Sequence, residues 1–206
     1  MGADKEVIYE LQTHNIKPGT HDEYLSNYEK YVEESKTRGL HREGRGAGTV
    51  GVGDQDQCLH LWKFDGGYKT IDSAKTSLEQ DSAISGLLKD RNQYLRSRSN
   101  QFLLAFSFWP PVTSRQGGNI YEIRAECLKP GTRREGGNNW SRAITGRQSN
   151  KEAGGGGGAQ VGRLYNVHHI WCYGSLAQRK EQRESAWRKP GWDEVVAYTV
   201  PLIEEY

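Results

Sequence analysis

Apolar side chains along this chain recur either at every second position, as in strands, or at helical spacing. Residues 7–16 are rich in β-forming side chains, and Pro18 marks the end of that strand because proline donates no main-chain hydrogen bond. Thr20 and Glu23 then match the capping box, in which the threonine hydroxyl accepts a hydrogen bond from a helical amide. The helix predicted there has an apolar stripe of Tyr24, Tyr28, Tyr31 and Val32.

The rest of the first half also consists of strand and helix patterns. The glycine-rich Gly39–Asp56 predicts only a short β piece, at Thr49–Val52. Cys58–Phe64 alternates strictly, which places His60 and Trp62 on one face of a strand. The remaining predicted segments are helices from near Tyr68 and near Ile84 and a closing strand over Gln101–Trp109.

The opening segment occurs twice in the chain. Residues 8–20, IYELQTHNIKPGT, and residues 120–132, IYEIRAECLKPGT, share their first three and their last four amino acids. Beyond this segment, Trp140 and Ile144 take the places of Tyr28 and Val32 in the helical stripe. Such an internal repeat predicts two copies of one supersecondary unit.

The second half repeats the order of elements found in the first. Gly154–Gly158 is a run of glycines and is predicted as a loop without a preferred conformation. Val161–Tyr173 is predicted as one bent strand or two strands, and a helix capped by Ser175 runs to Trp187. Glu194–Val200 is predicted as the closing strand. Each half therefore follows the order β-α-β-β-α-β of the ferredoxin-like unit, within residues 6–111 and 118–206.

Several long motifs make the chain similar to the NIPSNAP family, specifically to its two-domain animal members. They are IYEIRAECLKPGT, GGNNWSRAI, VHHIWCY and AWRKPGWDEVVAYTVPLI, with QDQCLHLWKFDGGY and SRSNQFLLAFSFW in the first half. The resemblance implies a dimeric α/β-barrel fold. With both repeats in one chain, we expect an α+β protein whose two ferredoxin-like repeats pack sheet to sheet as an intramolecular, pseudo-dimeric α/β barrel.

Composition narrows the range of partners. The 206 residues include 28 basic and 26 acidic side chains. Nucleic-acid-binding domains are typically strongly basic, so this nearly balanced charge does not suggest a nucleic-acid partner. The sequence contains no run of 18 apolar residues, so we expect no transmembrane segment. The start MGADKE lacks the hydrophobic core of a signal sequence. The three cysteines are odd in number and widely spaced, which favours reduced, buried thiols over a disulfide framework.

The paired histidines His168 and His169 are the most conspicuous candidate for chemistry. Neighbouring residues of a strand point to opposite faces, so the two cannot chelate one ion, and we predict no metal site and no bound cofactor. His169 shares its face with Trp171 and Tyr173, and we expect this face to line the interior of the barrel. The candidate interior ligand site consists of His60, Trp62, Asn139, His169, Trp171 and Tyr173. The alternative is that His169 is a hydrogen-bonded core residue.

The charged helix RKEQRESAWR, residues 179–188, allows two interpretations. It is either a solvated helix face or a docking surface for a protein, because Trp and Arg are frequent at the energetic centres of interfaces. The candidate interaction residues are Trp187, Arg183 and Arg188.

The family resemblance implies a mitochondrion-associated, non-enzymatic scaffold with trafficking or autophagy-related protein partners, in vesicular transport and in the recruitment of mitophagy receptors. We predict no catalytic residues and expect no enzymatic activity. Family members usually carry a mitochondrial targeting sequence, which this chain lacks, so a cytoplasmic location is the alternative. A homo-oligomer is a further possibility that we expect to be tested, because exposed edge strands of a sheet can pair with those of another chain. The competing hypothesis is a small-molecule or haem-binding, monooxygenase-like barrel that uses interior His and Trp residues, and it rests on fold analogy.

Overall fold

The chain forms two compact units, of which the first (unit 1) ends at Phe102 and the second (unit 2) begins at Leu103. The computed structural model describes residues 6–39, 42–147 and 152–205. The predicted repeat limits, 6–111 and 118–206, place the connection a few residues later and stay a prediction. Residues 1–5, which belong to the segment predicted to lack the hydrophobic core of a signal sequence, lie outside the described residues.

Unit 1 contains four strands and three helices. Its strand order is β2-β3-β1-β4, and β3 runs antiparallel to both β1 and β2. The elements are β1 (Val7–Ile16), α1 (His21–Thr37), β2 (Glu43–Thr49), β3 (Gln57–Asp65), α2 (Tyr68–Gln80), α3 (Ser82–Arg91) and β4 (Leu95–Ala105).

Unit 2 repeats this order, with the last residues of β4 beside its sheet. Within unit 2 the strand order is β6-β7-β5-β8, and β7 runs antiparallel to both β5 and β6. The elements are β5 (Ile120–Leu128), α4 (Arg133–Arg147), β6 (Ala153–Val161), β7 (Asn166–Tyr173), α5 (Leu176–Trp187), α6 (Trp192–Thr199) and β8 (Ile203–Glu205). The predicted α+β class with two ferredoxin-like repeats is confirmed. No helix of the described ranges has the length and apolar character needed to cross a membrane.

The predicted cap at Thr20 is wrong, and its counterpart in the second repeat, Thr132, behaves in the same way. The hydroxyl of Thr20 donates to the carbonyl of Lys17 at 2.8 Å instead of accepting from the helix, and that of Thr132 donates to Lys129 at 2.7 Å. In both places the hydroxyl and the main-chain amide of the threonine donate to the same carbonyl and close the turn that precedes the helix. The predicted cap at Ser175 is confirmed, since its hydroxyl accepts from the Gln178 amide at 3.1 Å.

Three strand predictions are wrong in position or type. The predicted piece at Thr49–Val52 lies after β2, which pairs with β3 in spite of its glycines. The closing strand β4 ends at Ala105, before the predicted Trp109. Glu194–Val200 lies largely in α6. Asp193 and Glu194 occupy its first turn, where their negative charges stabilise the helix by interacting with the positive end of its dipole.

The glycine run Gly154–Gly158 is not a loop but the central part of strand β6. Each of its glycines lies where an added Cβ would press on a neighbour. A Cβ at Gly155 would lie 2.3 Å from the Val112 side chain, and one at Gly157 would lie 2.8 Å from the Leu104 carbonyl oxygen. The run holds one conformation because neighbouring residues pack directly against its main chain. Only glycine, which has no side chain, permits so close an approach.

The core of unit 1 contains a closed network of polar side chains between the sheet and α1. The hydroxyl of Tyr24 lies 2.6 Å from Nδ1 of His14 and 2.7 Å from Nε2 of His60. Nearby, the Trp62 indole donates to the Tyr28 hydroxyl at 2.9 Å, and that hydroxyl donates to Gln12 at 3.0 Å. The tyrosines of α1 therefore pack in the core and also pair some of its buried polar groups, although Nδ1 of His60 has no hydrogen-bond partner among the described residues.

Replacement of Tyr24 by Phe tests this network. The change leaves two buried imidazoles without their shared hydroxyl, so we expect the free energy of unfolding to fall by about 1–3 kcal/mol. Urea denaturation measures the loss, and the control is Tyr121→Phe, whose side chain is half exposed in unit 2. Equal midpoints for the two variants would contradict the role given to Tyr24.

Replacement of Gly157 by Ala tests the packing of the glycine strand. Because the new Cβ meets a main-chain carbonyl, we expect a loss of about 2–4 kcal/mol in thermal or urea unfolding. Gly48→Ala is the matched control, since this strand glycine has no atom within 4 Å of an added Cβ. Similar stability of the two variants would show that β6 is looser than described here.

Candidate functional site

The candidate ligand residues on the strands lie on the helix-covered faces of their own sheets, so the expectation that they line the opposite, interior face is wrong, and Asn139 lies on α4. His60 and Trp62 in unit 1 pack against the tyrosines of α1. In unit 2, Trp171 and Tyr173 belong to a cluster that includes Ile144 of α4. Alternation along the strands selected the correct shared face, but it could not say which side the helices cover.

Unit 2 lacks the tyrosines that fill unit 1. At the repeat position of Tyr24, between the two imidazoles of unit 1, unit 2 has Gly136. The counterparts of those imidazoles, Glu126 and His169, approach each other directly, with 3.8 Å between Oε1 and Nδ1. Likewise, Ala143 stands at the position of Tyr31. Two aromatic rings of the unit 1 core are therefore absent from the corresponding part of unit 2.

A cavity of about 170 Å³ lies in unit 2 and is called the unit 2 cavity here, and neither Gly136 nor Ala143 is among its lining residues. It lies between β5 and β7 on one side and α4, α5 and α6 on the other. Its polar or aromatic lining residues are Arg124, Glu126, Trp140, Arg147, Trp171, Arg183, Trp187, Trp192 and Thr199. Its apolar lining residues are Val195, Val196, Val200 and Ile203.

Several buried polar atoms of this lining have no hydrogen-bond partner among the described residues. They are Nε1 of Trp140, Trp171 and Trp192, Nη2 of Arg147 and Oε2 of Glu126. Buried polar atoms are normally paired, because an unpaired one loses its hydrogen bonds to water without replacement. Donors outnumber acceptors in this set, so the lining is prepared for a group that accepts hydrogen bonds.

Glu126 is the only carboxyl group that lines the cavity, and it is buried. Burial raises the pKa of Glu126 to about 7, against the opposing attraction of Arg124. Burial likewise lowers the pKa of His169 to about 3, with help from Arg124 and His168. The contact between Glu126 and His169 is consequently no ion pair near neutral pH, because His169 is uncharged there.

The arginines of the cavity differ in how their charge is compensated. Arg147 forms a buried ion pair with Glu152 and lies 4.2 Å from the ring of Trp171, and Arg42 makes the same contact with Trp62 in unit 1 at 4.1 Å. Arg124 bonds to Glu122 at 2.6 Å, and Arg179 bonds to the same carboxylate.

Glu122 is stabilised as an anion by these two arginines. Burial alone would raise its pKa, but the hydrogen bonds from Arg179 and Arg124 outweigh that effect and lower it to about 2. Arg183 has no carboxylate partner among the described residues within ion-pair distance. Burial lowers its pKa, with a further contribution from Arg124 and Arg179 and against the attraction of Glu122. Arg183 is therefore the arginine of the cavity wall that makes no direct contact with a carboxylate of the described residues.

The remaining candidate residues are spread around the cavity. Asn139 is buried and lines a neighbouring space of about 250 Å³, where its amide is 3.5 Å from the Tyr198 carbonyl. Tyr173 is buried, and burial raises the pKa of its hydroxyl. Trp187 and Arg188 of α5 are exposed, whereas Arg183 contributes to the cavity wall.

The geometry around His169 does not fit a haem ligand or a metal site. Its side chain is 0% exposed, the ring of Trp109 stacks on it at 5.0 Å, and Trp140 meets it edge-on at 4.2 Å. Within the described parts of the chain, no three His, Cys, Asp or Glu side chains are grouped as metal ligands. His169 is a core residue, but the alternative interpretation expected hydrogen bonds to it, and neither of its ring nitrogens has a hydrogen-bond partner among the described residues.

Sequence reasoning missed Glu126, Arg147 and Trp192. The signal for the first was present in β5, where Glu122, Arg124 and Glu126 alternate on the face that carries Leu128. The substitutions at Gly136 and Ala143 also pointed to this region, because they remove large side chains from the repeated stripe. No pattern in the sequence could indicate that α6 brings Trp192 to the same place.

The raised pKa of Glu126 predicts a pH-dependent effect of Glu126→Gln. Since the folded protein holds the proton more tightly than the unfolded chain, ionisation destabilises the fold between about pH 4.5 and 7, and the penalty is complete above pH 7. The amide removes this penalty, so we expect a gain of up to about 3 kcal/mol at pH 8 and little change at pH 5.

Thermal unfolding of both proteins at the two pH values measures this difference. The matched control is Glu135→Gln, an exposed carboxylate of α4, for which no such pH dependence is expected. A stability difference between wild type and Glu126→Gln that is the same at pH 5 and pH 8 would contradict a protonated, buried Glu126.

Comparison with known proteins agrees with this architecture. The family model described as NIPSNAP matches residues 9–110 and 121–206. Protein NipSnap of Drosophila melanogaster is 56% identical over 207 residues, which cover 100% of this chain and 76% of the relative. Human NipSnap homolog 2 is 43% identical over 211 residues, which cover 98% of this chain and 72% of the relative.

Among solved structures, the fold is similar to two proteins described as proposed monooxygenases. The protein from Lactobacillus acidophilus has a TM-score of 0.70 at 12% identity, over 98% of this chain and 90% of its own. The protein from Fusobacterium nucleatum also has a TM-score of 0.70, at 11% identity. At such identity the likeness concerns the fold, whereas the sequence matches cover both repeats. The chain belongs to the NIPSNAP family.

Proposed function

We propose that this chain is a non-enzymatic interaction protein that binds protein partners through the exposed surface of α5 around Trp187. The indole of Trp187 is 52% exposed, although it is among the largest apolar side chains of the protein. This half-exposed indole beside charged Arg188 is the observation that carries the proposal. A partner that covered it would gain hydrophobic free energy in proportion to the apolar area removed from water.

The position of Trp187 gives it the properties of an interface anchor. Its ring meets Trp192 edge-on at 6.3 Å, so one side is held by the protein while the rest faces solvent. A side chain that is already held loses little freedom when a partner binds, and Trp and Arg dominate interface energies. The positive charge of Arg188 beside Trp187 favours a partner segment with an acidic side chain next to an apolar one.

Family membership supplies the biological setting of the proposal. We infer partners among trafficking and autophagy-related proteins, with mitophagy receptors as the first class to test, and a location at mitochondria. The monooxygenase-like alternative has less support, because the solved neighbours share only the fold and because His169 is enclosed between two indoles.

The proposal predicts that Trp187→Ala weakens binding to a purified mitophagy receptor. Loss of an anchor residue typically costs about 2 kcal/mol, so we expect the Kd to rise by about thirtyfold in calorimetry or biolayer interferometry. The control is Leu164→Ala, which removes an equally exposed apolar side chain of unit 2 outside α5. The proposal fails if no receptor of this class binds, or if Trp187→Ala and Leu164→Ala bind like the wild type.

A further inference from the structure

We propose that the unit 2 cavity is a binding site for a small carboxylate with an aromatic ring or a branched apolar chain. This inference goes beyond the proposed protein–protein function, because it concerns a small molecule held inside unit 2. It rests on three observations, namely the cavity itself, the unpaired hydrogen-bond donors of its lining residues and the guanidinium of Arg183.

The cavity gives the first observation. It has a volume of about 170 Å³, and indole rings and the apolar side chains of α6 line it. An unfilled space in a core forfeits packing contacts, so an occupant of matching shape would be stabilised by the contacts that it restores.

The polar atoms define the chemistry of the occupant. Trp171 and Arg147 are more than nine-tenths buried, and Nε1 of the first and Nη2 of the second have no partner among the described residues. Both side chains line the cavity, together with the indoles of Trp140 and Trp192. Four such donors require acceptor atoms, which a carboxylate provides with its two oxygens.

The charge of the wall favours an anion over a neutral acceptor. Arg147 is neutralised by Glu152, and Arg124 shares Glu122 with Arg179, but the guanidinium of Arg183 is left without a carboxylate among the described residues. A guanidinium binds a carboxylate through charge-assisted hydrogen bonds, which are stronger than neutral ones and stronger again at a partly buried position.

The size and the walls of the cavity limit the rest of the ligand. Indole rings and the valines of α6 surround an apolar space that suits a ring or a branched chain. A cavity of roughly 150 Å³ in another protein accepts benzene, whereas drug-sized pockets are larger than about 300 Å³. Phenylacetate, with one ring and one carboxylate, is therefore a suitable probe.

The first experiment is a titration of the whole chain with phenylacetate at pH 7, followed by calorimetry and by the fluorescence of the cavity tryptophans. We expect saturable binding with one site per chain. Benzyl alcohol, which has the ring without the charge, is expected to bind at least tenfold more weakly.

Arg183→Gln is expected to lower the affinity for phenylacetate at least tenfold without changing the affinity for benzyl alcohol. Lys180→Gln, on the exposed side of the same helix, is the control and should bind phenylacetate like the wild type.

A second variant separates loss of the site from loss of the fold. Val196→Phe places a ring inside the cavity, so it should abolish phenylacetate binding while the unfolding temperature is kept or raised. Val161→Phe, at a half-exposed position outside the cavity, should leave binding intact. The proposal is overturned by unsaturable binding, by equal affinity for phenylacetate and benzyl alcohol, or by unchanged binding in a folded Val196→Phe protein. Arg188→Ala, beside Trp187 but outside the cavity lining, should weaken receptor binding and leave phenylacetate binding intact, which separates this site from the protein-docking surface.

Discussion

The need to pair buried polar side chains shapes both repeats, because each sheet carries charged or polar groups on the face that its helices cover. Unit 1 meets part of this need internally, since the hydroxyl of Tyr24 lies within hydrogen-bond distance of both His14 and His60, although Nδ1 of His60 has no partner among the described residues. In unit 2 the same place holds Gly136, and Glu126 and His169 are left with unpaired atoms. One repeat consequently joins its two imidazoles through a hydroxyl, and the other has a cavity among whose lining residues are unpaired donors.

Burial also changes the charge that these groups carry. The pKa of Glu126 rises to about 7 and that of His169 falls to about 3, so a pair that resembles an ion pair by distance is uncharged or only half charged at neutral pH. The arginines of unit 2 respond differently, because two of them share Glu122 and one pairs with Glu152. The result is a wall with an excess of positive charge around aromatic rings.

The residues of both proposed binding regions lie in unit 2. The fold of NIPSNAP proteins resembles that of proposed monooxygenases, yet the histidine that invites comparison with an enzyme is enclosed by Trp109 and Trp140. Both proposed binding regions involve α5 of unit 2. Arg183 and Trp187 line the cavity, and about half of the Trp187 side chain is exposed to solvent, so neighbouring residues of α5 take part in both proposals.

The sequence by itself determined the order of the elements, the repeat and the shared faces of the strands, because these depend on local periodicity and on proline, glycine and capping signals. It could not determine that Gly154–Gly158 is a strand, since only the approach of Val112 and Leu104 explains glycine there. Nor could it determine that Glu194 begins a helix or that His169 faces the helices. Which side of a sheet is covered, and which side chains leave a cavity, depends on packing between distant segments, and only the tertiary structure decides that.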